Sequence, residues 1–111
     1  TLQSIGKEDR PIARVKAYLE ANYPENISLD KLAAIVNLSS FYLLRTFRDR
    51  VGMPPYEYLT QVRVLRAKRL LSQGYAIAQV AQQTGFADRS HLTRQFKRFV
   101  GVTPGKYSSS K

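Results

Sequence analysis

Two arginines are the residues of this chain best placed to do chemistry on a partner. Arg45 and Arg94 each sit inside Leu-x-Arg-x-Phe, as Leu43-Leu44-Arg45-Thr46-Phe47 and Leu92-Thr93-Arg94-Gln95-Phe96. Gly52 and Pro55 follow the first motif, and Gly101 and Pro104 follow the second, so the two copies match at an offset of 49 residues. On a helix, Leu43 and Phe47 share one face, as do Leu92, Phe96 and Phe99. At about 100° per residue, each arginine lies roughly 200° from the leucine two positions earlier and points away from a core. A guanidinium is a planar fork that grips guanine O6 and N7, or a phosphate, with two hydrogen bonds. One outward arginine is ordinary solvated charge. The same outward arginine in both copies indicates a reading head used twice.

Other polar and apolar side chains share those outward faces. Phe41, Leu44 and Arg48 run with Arg45, and Arg89, Ser90, Thr93 and Lys97 run with Arg94. Upstream the repeat continues at an offset of 48, with Leu32-Ala33 matching Val80-Ala81 and Asn37-Leu38 matching Gly85-Phe86. The second copy therefore carries one extra residue in its turn. Leu29, Leu32, Ala33 and Val36 recur at helical spacing, and Ser28 can accept from the first free amides as an N-cap. Asn37 and Gly85 are the two residue types that most readily take a left-handed backbone, which a sharp turn requires. Leu38 and Phe86 plug the angle between helices. Ser39 or Ser40, and Asp88, cap the helices that follow, whereas Ala76 is a poor cap for a helix starting near Ile77. A short helix, a tight turn and a longer helix make the helix-turn-helix pattern.

The sequence points away from catalysis. There is no cysteine, which excludes disulfides and thiolate chemistry and is compatible with a reducing cytoplasm. His91 is the sole histidine, so no histidine cluster can hold a metal, and it falls at the start of an exposed helix rather than beside a buried acid. No glycine-rich loop cradles phosphate. No cofactor is expected, and the chain reads as a binder rather than an enzyme.

Charge identifies the class of partner. The net charge is +10 with an isoelectric point near 10.2, which suits a polyanion. Residues 1–57 hold eight basic against seven acidic side chains, whereas residues 58–111 hold ten against one, Asp88. The second half should carry most of the electrostatic footprint. No apolar stretch approaches the ~20 residues of a membrane span, and no signal peptide is visible.

The expected architecture is all-α, with seven helices forming two helix-turn-helix subdomains joined by a long central helix. Residues 1–8 read as linker or disordered, 9–53 as the first subdomain, 54–73 as the connecting helix, 74–107 as the second subdomain and 108–111 as a frayed tail. Asp9 and Pro11 open the first helix as cap and first-turn proline, with Ile12, Val15, Tyr18, Leu19 and Tyr23 facing inward. The connecting helix starts at Pro54-Pro55 and ends at Gly74. Leu59, Val62, Leu65 or Arg66, Ala67, Leu70 and Leu71 give it packing faces, while Arg63, Arg66, Lys68 and Arg69 stud the rest as phosphate contacts or solvated charges. At 1.5 Å per residue a helix of about 19 residues spans ~28 Å, close to the ~34 Å between major grooves one turn apart.

The second copy carries a family signature. It reads Ile77-Ala78-Gln79-Val80-Ala81, Gly85-Phe86-Ala87-Asp88, Ser90, Leu92, Arg94, Phe96-Lys97-Arg98, Gly101, Pro104 and Tyr107. In these residues the chain resembles the DNA-binding domain of AraC/XylS-family bacterial transcription regulators, over residues 11 to 107. Leu92 stands where that family often has Phe, and Ser108 follows Tyr107 where a basic residue is common, which removes one phosphate contact. The resemblance implies two recognition helices in successive major grooves of promoter DNA. Carried over by position, Phe41, Leu44, Arg45, Arg89, Ser90, His91, Thr93 and Arg94 contact bases. Ser40, Arg48, Arg63, Arg69 and Lys97 contact phosphates. Phe41 and Leu44 suit thymine methyls, although Leu44 can instead pack on the first helix of its own unit. The resemblance also implies a cytoplasmic protein, contact with RNA polymerase, and an effector acting through a companion domain absent from this chain. The start without Met reads as that of an excised fragment, and two reading heads without a heptad seam imply a monomer.

Two rival classes remain. A nonspecific nucleic-acid-binding basic helical protein would use the same charge but would not need two matched recognition helices. A basic amphipathic bundle that seeks anionic membranes, or merely docks proteins, is the other.

Overall fold

A computed structural model describes the backbone of residues 2–109 and the side chains from Asp9 to Ser109. Among the described residues there are seven helices and no strand. They are α1 (Leu2–Ala21), α2 (Leu29–Ile35), α3 (Ser40–Val51), α4 (Pro55–Ser72), α5 (Ile77–Gln83), α6 (Arg89–Val100) and α7 (Pro104–Ser109). The chain divides into two compact units. One contains α1 to Asn22 and Asn26–Leu59; the other contains Tyr23–Glu25 and everything from Thr60 onward. The connecting helix is thus shared: its first turn belongs to one unit and the rest to the other.

The first unit closes over Ile12, Val15, Leu19, Leu32, Ala33, Leu43, Phe47 and Leu59, all buried. The second closes over Val64, Ala67, Leu71, Val80, Ala81, Phe86, Leu92 and Phe96, with Ile77, Phe99 and Tyr107 packed against them. Full burial of Phe47 or Phe96 contributes about 1.5–3 kcal/mol each. The repeat extends further than the sequence pattern suggests. Pro55 and Pro104 are both buried, and each opens a helix whose fourth residue is a tyrosine, Tyr58 or Tyr107, again 49 apart. Tyr58 meets Phe47 edge-on at 5.8 Å and 72°, and Tyr107 meets Phe96 at 5.6 Å and 62°. The start of α4 is therefore the first unit's version of α7. Partial burial, then the hydrogen bond its hydroxyl gives Glu20 and the charge of that carboxylate, push the Tyr58 pKa up to about 12.

Three sequence expectations need correction here. α1 begins at Leu2, so residues 2–8 are helical, Asp9 does not cap the helix and Pro11 lies inside it. Proline lacks its own N–H, so it removes the bond to the carbonyl four residues back, and its ring crowds that carbonyl. Tail residues Ser108 and Ser109 complete α7, while residues 110–111 lie outside the described chain. On α4 the buried position is Val64, whereas Leu65 is 56% exposed.

Candidate nucleic-acid interface

The second helix of each unit, α3 and α6, is positioned by matched local devices. In the first unit, Asn37 turns the chain at φ 58° and the Leu38 amide bonds the Ala33 carbonyl at 3.0 Å. In the second, Gly85 turns it at φ 88° and the Phe86 amide bonds the Ala81 carbonyl at 3.0 Å. Ser39 then caps α3, its Oγ accepting from the Tyr42 amide at 3.1 Å. Asp88 caps α6, its Oδ1 accepting from the His91 amide at 2.7 Å. Both helices end in left-handed glycines, Gly52 and Gly101. Cap, turn and stop together fix where each helix starts and which face it shows.

With Leu43 and Phe47 buried, α3 turns Phe41, Arg45 and Arg48 to solvent, and Phe41 is 73% exposed. With Leu92 and Phe96 buried, α6 exposes Arg89, Ser90, Arg94 and Lys97. Arg69 of α4 is exposed as well. None of Arg45, Arg48, Arg69, Arg89, Arg94 and Lys97 is engaged by another side chain among the described residues. These cations are free to meet an anion.

Other expected contacts are placed differently. Leu44 is half-buried and lines an apolar hollow of about 150 Å³ with Leu19, Leu29, Leu32 and Leu59, so it packs within its own unit. Ser40 gives its one hydroxyl proton to Asp30, tying α3 to α2, which leaves its side chain no donor for a phosphate. His91 is half-buried, its ring edge-on to Phe86 at 5.1 Å and its Nδ1 facing the amide of Ala87 at 3.4 Å. Ala87 is the extra residue of the second turn, so His91 serves that insertion and keeps only Nε2 for an outside partner. Thr93 donates to the Arg89 carbonyl at 2.9 Å and so offers its oxygen as an acceptor.

Arg63 is the clearest departure. It is 8% exposed, its Nε donating to the Tyr23 carbonyl at 2.7 Å and its Nη2 to that of Glu25 at 2.8 Å. A guanidinium so placed is engaged on backbone carbonyls within its own unit. The spacing contained a signal: Leu59, Arg63, Ala67 and Leu71 recur every four residues and are all buried. Its neighbours are engaged too. Arg66 lies over the Tyr23 ring, Lys68 over Tyr107, and Arg98 over Phe99 with a bond to Gln95.

Among the described residues, no group of His, Asp or Glu is assembled to hold a metal, and no helix is long and apolar enough to cross a membrane. Comparison with known proteins places the arrangement. A family model described as a helix-turn-helix domain matches residues 32–110. The uncharacterized HTH-type transcriptional regulator YbfI of Bacillus subtilis is 40% identical over 91 residues, covering 82% of this chain and 33% of that protein. A Chromobacterium violaceum transcriptional regulator described as containing an AraC-type DNA-binding domain superposes with a TM-score of 0.86 at 26% identity, covering 95% of each chain. The chain belongs to the AraC-type helix-turn-helix domains. These are DNA-binding domains of transcription regulators, not enzymes. The DNA-binding domain of AdpA, solved in complex with a target DNA, superposes on this AraC-type domain with a TM-score of 0.84 at 33% identity, over 90% of this chain and 91% of that one. The domain spans less than half the length of the curated relatives it matches, 33% of YbfI and 28% of GbdR from Pseudomonas aeruginosa.

Proposed function

We propose that this domain binds duplex DNA sequence-specifically, with α3 reading one major-groove half-site and α6 another, about one helical turn apart. The observation that carries the reading is the pair Arg45 and Arg94, exposed at equivalent positions on the second helix of each helix-turn-helix. The likeness to the AdpA domain, solved with its target DNA, supports the same class of ligand. Arg45 and Phe41 read the first half-site, Phe41 through thymine methyls. Arg94 and Arg89 read the second, with Ser90, Thr93 and the Nε2 of His91 beside them. Arg48, Arg69 and Lys97 meet phosphates, which fix register without carrying sequence information. Two reading helices in one chain make the domain a monomer on its site.

Selection from random duplexes tests the proposal and should return one bipartite, non-palindromic motif. Arg45→Ala and Arg94→Ala should each cost about 1–3 kcal/mol on that motif and relax preference at a few base pairs of different half-sites. If Arg94→Ala loses the same affinity on every duplex, Arg94 is a phosphate clamp. Recovery of no motif would favour a nonspecific coat.

A further inference from the structure

The Arg63 bonds hold a segment that itself presses on the second turn. Arg63 reaches the carbonyls on either side of Pro24, at Tyr23 and Glu25. A planar guanidinium can satisfy both only in one orientation, so the segment is held in one register. Pro24 in turn closes on Gly85: a Cβ there would stand 2.9 Å from the Pro24 Cα, 2.9 Å from its carbonyl oxygen and 3.0 Å from the Arg63 Nε. The matched turn of the first unit manages with Asn37 at φ 58°. A left-handed turn of this kind can therefore be made without glycine; at Gly85 the φ of 88° disfavours a side chain and the segment leaves it no room. Phe86, the next residue, is buried in the second core, and Asp88 caps α6 two residues later.

We infer that Arg63 is a positioning residue for α6, acting through the Tyr23–Glu25 segment to fix the turn from which α6 presents Arg94. In its DNA aspect this rests on the reading of α6 as a recognition helix; in its structural aspect it does not. The test uses the whole chain and two readouts. The first is amide hydrogen exchange in the free protein, comparing Phe86 with Leu38, whose amide is bonded in the same way in the other turn. Arg63→Gln should speed exchange at Phe86 about tenfold, with Leu38 unchanged. Gly85→Ala should do the same. Gly101→Ala, at φ 96° but with nothing within 4 Å of its Cβ, carries the backbone strain alone and should leave Phe86 protected. If Arg63→Gln proves too disruptive, Arg63→Lys keeps the charge but loses the fork, and should give a smaller acceleration in the same place.

The second readout is titration against single-base-pair substitutions in the selected site. Arg63→Gln should flatten discrimination in the Arg94 half-site about tenfold and leave that of the Arg45 half-site and the salt dependence as they were. Unchanged protection at Phe86 would overturn the inference whatever the DNA titrations give. So would equal acceleration at Phe86 and Leu38, which means general loosening. Equal loss on every duplex with a shallower salt dependence would make Arg63 the phosphate contact that its charge alone suggests. A wild-type protein indifferent to base pairs in the Arg94 half-site would refute the reading of α6, while the exchange experiment still decides the role of Arg63.

Discussion

The salt dependence of DNA binding discriminates between charge counted from composition and charge the fold leaves free. Residues 58–111 carry ten basic side chains against one acidic. Were each net positive charge to neutralise one phosphate, log affinity against log salt would fall with a slope of about −8. The structure removes several from that count. Arg63 is buried on two carbonyls, Arg66 and Lys68 lie over tyrosine rings, and Arg98 is held by Gln95 and Phe99. On the proposed assignment, taken over the whole chain, three exposed cations meet phosphates, Arg48 of α3 with Arg69 and Lys97, and the three base-reading arginines, Arg45, Arg89 and Arg94, can add to them. At about −0.9 per phosphate the slope then lies between roughly −2.7 and −5.4. Between about 50 and 200 mM salt, affinity should fall between roughly 40-fold and 2,000-fold. Fluorescence anisotropy of a labelled duplex at five or so concentrations of KCl measures the slope. Lys97→Ala should make it shallower by about 0.9, while Arg63→Gln should not change it. A slope steeper than about −7 would mean that the engaged cations let go of their partners on DNA, and a slope flatter than about −2 would mean that phosphate contacts are not the main source of affinity. Either result refutes the sorting of cations made here.

The helix caps give a second set of expectations. Asp88→Ala should destabilise the protein by about 0.5–2 kcal/mol in urea unfolding, and Ala76→Ser, at an N-cap with extended backbone and no side-chain bond, should stabilise it by about 0.5–1 kcal/mol. Phe96→Ala should cost about 3–5 kcal/mol in the same assay, because the ring is wholly enclosed. Tyr58 should titrate near pH 12 by its phenolate absorbance, and Tyr58→Phe should remove that step. Because its folded pKa lies above the usual 10, its contribution is complete below pH 10 and is lost as the pH rises towards 12, so alkaline unfolding should be less steep in the Phe variant.

Local features were legible in the sequence because they depend on neighbours a few residues away. The Asn37 and Gly85 turns and the Ser28 and Asp88 caps stand where residue type and spacing put them. The outward direction of Arg45 and Arg94 follows from helical period alone. The ambiguity between Ser39 and Ser40 resolves to Ser39 because Ser40 already bonds Asp30, ten residues earlier. What could not be read depends on partners far along the chain. Arg63 was counted as surface because it is charged, but its acceptors lie 40 and 38 residues upstream. Val64 is buried where Leu65 or Arg66 is expected, because α4 has apolar residues on more than one face and periodicity does not single out one. Leu44 has the spacing of an outward residue, but Leu19, Leu29 and Leu32 come round to meet it.

The two copies share a frame and differ in what they offer a partner. Each frame is a short helix, a left-handed turn, a capped longer helix and a proline-led helix whose tyrosine edges onto the central phenylalanine. With that much held in common, the differences fall on the exposed faces. At the second position of α3 stands Phe41, while α6 has Ser90 there, preceded by Arg89. An exposed aromatic ring gains most against a thymine methyl, whereas hydroxyl and guanidinium gain most against hydrogen-bonding base edges. The charge imbalance follows the same division, since residues 1–57 are close to neutral and residues 58–111 are strongly basic. The second copy can therefore hold DNA by electrostatics as well as by reading it. The first, with Arg48 as its one proposed phosphate contact, relies more on shape and apolar contact around Arg45, so a base change in its half-site should alter affinity with little change in salt dependence.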